Sequence, residues 1–128
     1  NKKILVYGGK QIRPNIHIKD VVRVFKHVIK KKIKPGIYNI GFENLSILQI
    51  AKKITKKINS IIVIKPILDI RSYRLDSSKI IKTGFKPIFN VDDAINELLK
   101  VFKKEKFKSK EINFNILHLK KNLKKKKI

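Results

Sequence analysis

The sequence predicts an α/β fold, and three observations lead to that prediction. Apolar residues alternate with polar ones in several short stretches, as in strands with one buried face. Between them lie longer stretches in which apolar residues recur every three or four positions, as in amphipathic helices. Gly and Pro separate the two kinds of stretch. The predicted order is strand, strand, helix, strand, helix, strand, single helical turn and helix, which is typical of an α/β fold.

The first two strands flank a glycine turn. Ile4 to Tyr7 is predicted as a strand that ends at Gly8-Gly9. The second strand alternates, because successive side chains point to opposite faces. Its two faces hold Ile12, Pro14, Ile16 and Ile18 on one side and Arg13, Asn15 and His17 on the other. Since Pro14 has no N–H group, we expect this strand at an edge or a bulge.

The first helix is predicted from Val21 to about Lys32, with Asp20 as its N-cap. Pro35-Gly36 ends it. Apolar residues at helical spacing are expected to form its buried face, namely Val21, Val24, Phe25, Val28 and Ile29.

A third strand is predicted from Ile37 to Ile40, with Asn39 inside it. Ser46 and Gln49 have the spacing of a capping box and start the second helix. The expected buried face of that helix consists of Ile47, Ile50, Ala51, Ile54 and Ile58.

The last third of the α/β pattern begins with a strand from Ile61 to Ile67, followed by a loop over Asp69 to Tyr73. Asp76 or Ser77 is predicted to cap a single helical turn that Gly84 closes. The final helix is predicted to start at Asn90, with Asp93 completing a short capping box. Its core face is expected to be Ala94, Ile95, Leu98, Leu99 and Phe102.

The net charge of +24 is extreme, but 29 of the 33 basic residues are Lys, and the chain also holds 24 Ile. This joint excess favours AT-rich coding over a surface selected for polyanions, although nonspecific polyanion binding is expected either way. No apolar run approaches the roughly 20 residues of a membrane span. Cysteine is absent, which excludes disulfides and fits a reducing, cytoplasmic location. Because the first residue is Asn, we expect a piece of a longer protein.

Four segments together resemble one family. They read GGKQIRPNIHIKDVVRVF, GIYNIGFENLSILQIAKKI, DIRSYRLDSSKI and GFKPIFNVDDAINELL. In this order they resemble the C-terminal half of an NAD-dependent nucleotide-sugar epimerase/dehydratase of the extended short-chain dehydrogenase class. The resemblance implies that residues 1–104 form the substrate-binding part of that Rossmann-type fold. Residues 105–128 are a Lys-rich tail, predicted to be helical or disordered.

The resemblance also implies a cofactor, NAD or NADP, in the intact parent. In this family a GxxGxxG loop and a Tyr-x-x-x-Lys pair carry the chemistry, and both lie in the other half. Here the three tyrosines are followed four positions later by Gln11, Phe42 and Ser77. We therefore assign no catalytic residue and no metal site, and expect this chain alone neither to bind the dinucleotide tightly nor to transfer a hydride.

The resemblance places substrate-binding residues on two of the segments. Arg13 matches the family arginine that contacts the nucleotide diphosphate, and Arg71 matches a second arginine that reaches the phosphates. Guanidinium groups suit this task because they form paired, charge-assisted hydrogen bonds. Tyr73 is expected either to line the pocket or to pack, and Asn39 to contact either the cofactor or the backbone. The alternative for each arginine is packing or pairing with a nearby carboxylate.

Other polar residues have structural interpretations. Arg23 is expected to pair with Asp20 across one helical turn, and Asp76 with Lys79. Arg74 is expected to be exposed, and His17 to stabilise the strand-to-helix junction by hydrogen bonding; for His17 and Asp20 a catalytic role is the alternative.

Three functions follow from these observations. The first is the nucleotide-sugar-binding part of an NAD(P)-dependent epimerase/dehydratase, an isomerase or a lyase whose intact form is often a homodimer. The second is a basic nucleic-acid-binding module, although no stacking platform is visible. The third is a remnant without activity of its own, whose strands lack their partners.

Overall fold

The computed structural model describes residues 2–66, 71–104 and 119. The elements in chain order are β1 (Lys2–Tyr7), β2 (Ile12–Asn15), α1 (Ile18–Lys31), β3 (Glu43–Ser46), α2 (Ile47–Thr55), β4 (Ser60–Lys65), α3 (Ser78–Ile81) and α4 (Val91–Lys104). The predicted α/β order is confirmed. No helix among the described residues is long and apolar enough to cross a membrane.

The described strands form two pairs. β1 and β4 are parallel, in a register that runs from Lys2 opposite Ser60 to Tyr7 opposite Lys65. β2 and β3 are antiparallel, and Pro14 lies opposite Asn44. Within the described part of the chain each pair stands alone, so Pro14 lies on an edge strand, as its missing N–H predicts.

The third strand is displaced from its predicted position. The prediction of a strand over residues 37–40 is wrong, and the strand runs instead over Glu43–Ser46. Ile37 and Asn39 are exposed, and side chains rather than a strand partner bind this loop. The Lys79 ammonium donates to the Ile37 carbonyl at 2.8 Å. The expected pair of Lys79 with Asp76 is therefore also wrong.

The first helix starts earlier than predicted. Its N-cap is His17, whose Nδ1 accepts a hydrogen bond from the Lys19 N–H at 3.1 Å. This confirms the junction role of His17, whereas the prediction of Asp20 as N-cap is wrong. Asp20 lies inside the first turn with an exposed fraction of 0%. Its carboxylate instead binds the loop before α4, as described below.

The buried face of α1 is narrower than predicted. Val24 is buried with Ile80 and Phe85, and Val28 packs against them. The prediction that Phe25 and Ile29 belong to the core is wrong, because their exposed fractions are 63% and 76%. Their side of the helix has no covering element within the described residues.

The other helix boundaries agree with the sequence. The capping box of Ser46 and Gln49 is present in both directions. Asn90 and Asp93 exchange hydrogen bonds of 2.9 and 3.0 Å, which confirms the start of α4. On α4, Ile95 is buried, but Leu98 and Phe102 are exposed, contrary to prediction.

Two compact units divide the chain, Asn1–Glu97 and Leu98–Ile128. The first unit contains all the residues of the sites described below. The predicted Lys-rich tail over 105–128 and the predicted strand end at Ile67 lie outside the described residues, apart from Leu119, which is exposed.

Candidate functional site

The segment 71–77 runs beside β2. The Ile12 N–H donates to the Ser72 hydroxyl at 2.9 Å, and the Tyr73 N–H donates to the Ile12 carbonyl at 3.3 Å. Pro14, two residues further along β2, has no N–H to offer, so the strand ladder cannot continue there. Side chains continue the attachment instead.

Asn44 on β3 and Ser77 provide that attachment. The Asn44 amide donates to the Leu75 carbonyl at 3.1 Å and accepts from the Leu75 N–H at 3.0 Å. The Ser77 hydroxyl accepts from the Gly41 N–H at 2.9 Å and donates to its carbonyl at 3.2 Å. Both side chains therefore mimic a strand partner, and the segment lies in one defined position against β2 and β3.

Gly41 allows this close approach. A Cβ atom at this position would lie 2.9 Å from the Pro14 Cβ and 3.1 Å from the Leu75 Cδ1. Contacts below 3.0 Å do not fit without movement of the backbone or side chains. Glycine is thus required sterically where β2, the loop and the segment meet.

Arg13 connects β2 to the same segment. Its guanidinium donates to the Ile12 carbonyl at 2.9 Å and to the Arg71 carbonyl at 2.5 Å. The guanidinium carbon lies 4.9 Å from the centre of the Tyr73 ring, within cation–π range. The structure therefore brings together the three residues that the sequence predicts for substrate binding, across 58 residues of chain.

The electrostatics of this group favour an anionic ligand. Arg13 is half-buried, and Arg71 and Tyr73 are exposed. The hydrogen bonds of Arg13 are to neutral carbonyls, and within the described residues no carboxylate forms an ion pair with it. Its charge is thus oriented but not neutralised, which is the arrangement that a phosphate requires.

Among the described residues, the carboxylate nearest in sequence to this group is engaged elsewhere. The N–H and hydroxyl of Ser78 both donate to Asp76, at 2.8 and 3.0 Å. These bonds hold the pKa of Asp76 below its usual range. Asp76 therefore stays ionised at neutral pH while it serves the start of α3.

Asn39 lies outside this group. It is exposed on the loop that precedes β3, and its cofactor contact stays a prediction. Arg23 pairs with Asp20, as expected, and Arg74 is exposed. For His17 and Asp20, the hydrogen bonds support structural roles.

The Gly8-Gly9 turn does not fit the phosphates of a dinucleotide. Such a cradle needs free backbone N–H groups. Here the Gly8 N–H donates to the Lys65 carbonyl at 2.8 Å, and the Gly9 N–H donates to the Tyr7 carbonyl at 3.0 Å. At the start of α2, the Leu48 N–H donates to the Gly9 carbonyl at 2.9 Å. The turn connects β1, β4 and α2, and neither glycine N–H is left for the phosphates of NAD or NADP.

Four residues that attach the segment 71–77 were not predicted from the sequence: Gly41 and Asn44, which bind it, and Ser72 and Ser77, which lie on it. Each acts over 31 to 60 positions of chain. The only local signal was the edge-strand position of Pro14. It predicts that one side of β2 lacks a strand partner, but not which residues bind there instead.

Comparisons with known proteins agree with this architecture. The model of the NAD dependent epimerase/dehydratase family matches residues 1–41. UDP-glucose 4-epimerase from Bifidobacterium longum, solved with NAD+ and UDP, is 29% identical with a TM-score of 0.60; the match covers 74% of this chain and 33% of that one.

Two enzymes from Campylobacter jejuni share the fold. A GDP-D-glycero-L-gluco-heptose synthase, solved in the presence of NADPH, is 25% identical with a TM-score of 0.64, over 80% of this chain and 33% of that one. A GDP-mannoheptose C4 reductase, with NADP bound, is 24% identical with a TM-score of 0.63, over 80% and 32%.

The chain thus spans about a third of the length of these solved structures. By the match over residues 1–41 and by the fold of its α/β unit, the chain resembles the NAD-dependent epimerase/dehydratase family, within the extended short-chain dehydrogenase class.

Proposed function

We propose that this chain is the nucleotide-sugar-binding part of an NAD(P)-dependent sugar epimerase or dehydratase, corresponding to its C-terminal half. The observation that carries the proposal is the position of Arg13, between the Arg71 carbonyl and the Tyr73 ring. A diphosphate placed there would meet an oriented guanidinium and the exposed Arg71. The printed descriptions of the similar structures, with UDP or GDP-sugars, support the same ligand class.

The chemical step belongs to another part of the parent. The turn at Gly8-Gly9 has no free N–H group, and no tyrosine here is followed by lysine four positions later. When bound in the parent, the nicotinamide cofactor would oxidise or reduce the sugar. The residues of this chain would bind and orient the diphosphate, and the chain alone would have no redox activity.

The test uses the longest natural product that contains this segment, identified by immunoblot and by sequencing the reading frame upstream of residue 1. Binding of UDP-glucose and GDP-mannose is measured by isothermal titration calorimetry. Arg13→Ala and Arg71→Ala should each weaken binding by about 1.5–3 kcal/mol, as for a hydrogen bond to a charged group. Unchanged affinity in both variants contradicts the proposal.

Arg74→Ala is the matched control. Arg74 lies on the same segment, carries the same charge and is exposed. We expect the affinity of Arg74→Ala for the nucleotide sugars to stay within about twofold of that of the unsubstituted protein, because a screened surface charge contributes little. Equal losses in all three variants would indicate attraction by net charge instead of a site.

A further inference from the structure

A second basic region, made of different residues, lies in the same unit. A groove of about 480 Å³ runs between α1 and the chain that follows α3. It is lined by Arg23, Lys26, His27, Lys30, Phe85 and Lys86, together with Gly84. None of these residues belongs to the group around Arg13.

The two walls of the groove are bonded to each other. His27 Nε2 lies 2.9 Å from the Thr83 hydroxyl, and the Arg23 guanidinium donates to the Lys86 carbonyl at 3.0 Å. Arg23 also lies 5.1 Å from the centre of the Phe85 ring. The groove is therefore formed without a ligand, which lowers the cost of ordering it on binding.

The groove carries uncompensated positive charge. Arg23 is paired with Asp20, but Lys26, Lys30 and Lys86 are exposed and form no ion pair with any described residue. None of the described carboxylates lines the groove. Asp20 neutralises Arg23 from behind it. The others are bound by donors outside the groove, namely Glu43, Asp76, Asp92, Asp93 and Glu97.

Helix electrostatics explain only part of this charge. Lys30 lies in the last turn of α1, where a cation interacts favourably with the helix carbonyls. Lys26 lies before that turn and four residues from Lys30, a spacing at which like charges repel. Lys86 belongs to a different element. A bound anion would convert this repulsion into attraction.

The groove favours isolated phosphates over a polynucleotide. Phe85, its aromatic residue, is only 3% exposed and is covered by Arg23 and Phe42. It therefore offers no face on which a base can stack. A Cβ atom added at Gly84 would have nothing within 4 Å, so this side of the groove is uncovered; the Gly84 N–H itself donates to the Ile81 carbonyl at 2.9 Å, so the lysines and not this amide would bind the anion.

We propose that the groove between α1 and residues 84–86 binds the phosphates of a small diphosphate-bearing molecule, at a site separate from Arg13. Lys26, Lys30 and Lys86 provide the charge, and the Gly84 backbone forms the open side. The proposal does not depend on the function proposed above.

The experiment titrates the full ¹⁵N-labelled chain with inorganic pyrophosphate and follows the Gly84 amide by NMR. The unsubstituted chain and Arg13→Ala should show the same saturable shift. Lys26→Gln/Lys30→Gln should bind at least about tenfold more weakly, as for loss of charged hydrogen bonds. Lys86→Gln alone should also weaken binding, and circular dichroism of each variant checks folding.

Lys52→Gln/Lys56→Gln is the matched control, because it removes two exposed lysines at the same spacing from α2 and its C-cap. Its affinity should stay within about twofold. An equal loss in this control, or no saturable shift of Gly84, overturns the proposal. A single-stranded oligonucleotide is titrated in parallel. If the groove variants weaken only the oligonucleotide, the ligand is a nucleic-acid backbone, and the proposal is also overturned.

Discussion

The carboxylate of Asp20 accepts a hydrogen bond from the Phe89 N–H, 69 residues later in the chain, at 2.9 Å. The same carboxylate accepts from the Ile88 N–H at 3.0 Å and pairs with Arg23. One buried charge therefore binds the loop before α4 to the first turn of α1. A charge in this position is stabilising only while all its partners are present.

Asp20→Ala should destabilise the fold strongly. The substitution leaves two N–H groups and the Arg23 guanidinium without their acceptor, and we expect a loss of about 3 kcal/mol in the free energy of unfolding. Urea denaturation measures it. Asp76→Ala is the control, because that carboxylate is exposed and, among the described residues, accepts hydrogen bonds from Ser78 alone, so its loss should be clearly smaller. Equal losses in the two variants would mean that the buried carboxylate of Asp20 contributes no more to stability than the exposed carboxylate of Asp76.

Gly41→Ala should distort the segment 71–77, which carries Arg71 and Tyr73. Its Cβ would meet the Pro14 Cβ at 2.9 Å, and overpacking of this kind costs about 1–3 kcal/mol. Gly36→Ala is the matched control. There the nearest atom is the Lys79 ammonium at 3.3 Å, which can move away. Thermal unfolding should separate the two variants; similar stabilities would refute the steric role of Gly41.

Stability should fall on acidification. The Lys53 ammonium donates a hydrogen bond to Asp92 and holds the pKa of that carboxyl below its usual range. Lys19 likewise donates to Glu97 and lowers the pKa of the Glu97 carboxyl. A carboxyl whose pKa is lowered in the folded state contributes stability above its unfolded pKa, near 4, and loses it as the pH falls through the folded value. Both groups are well exposed, so the effect is small.

Asp92→Asn tests this assignment. The difference in melting temperature between the unsubstituted chain and the variant should be largest near neutral pH and should vanish once the pH falls below the lowered pKa of Asp92 in the folded state, where the carboxyl is protonated in both states. A difference that is constant with pH would point to packing as its cause. High salt should reduce the neutral-pH difference.

The parallel pair of β1 and β4 should limit solubility. Parallel strands are normally covered on both faces, yet Leu5, Tyr7, Ile61 and Ile64 are exposed within the described structure. Leu5→Thr/Ile61→Thr should raise the soluble yield and reduce binding of the dye ANS, with little change in stability.

Val6→Thr is the contrasting variant, because Val6 is 2% exposed. It buries a hydroxyl and should cost about 1–3 kcal/mol without improving solubility. A monomeric chain that melts sharply and binds no ANS would argue against missing partners for these strands.

The local features of this fold were predictable from the sequence because their causes are local. The capping box of Ser46 and the cap at Asn90 act within three residues, and the breaks at Gly8-Gly9 and Gly84 depend on a few adjacent positions. The order of strands and helices follows from the same short-range periodicity. Arg13, Arg71 and Tyr73 were chosen by resemblance, since no periodicity distinguishes them.

Tertiary structure decided what depends on distant partners. Asp20 is a residue type that is preferred at N-caps, but the N–H groups of Ile88 and Phe89 bind its carboxylate, and His17 caps the helix instead. Residues 37–40 have the composition of a strand, yet β2 pairs with residues 43–46. Phe25 continues a core stripe in sequence and is exposed in space. The local preference for an N-cap or a strand residue amounts to about 1–2 kcal/mol, which a buried charge or a paired strand outweighs.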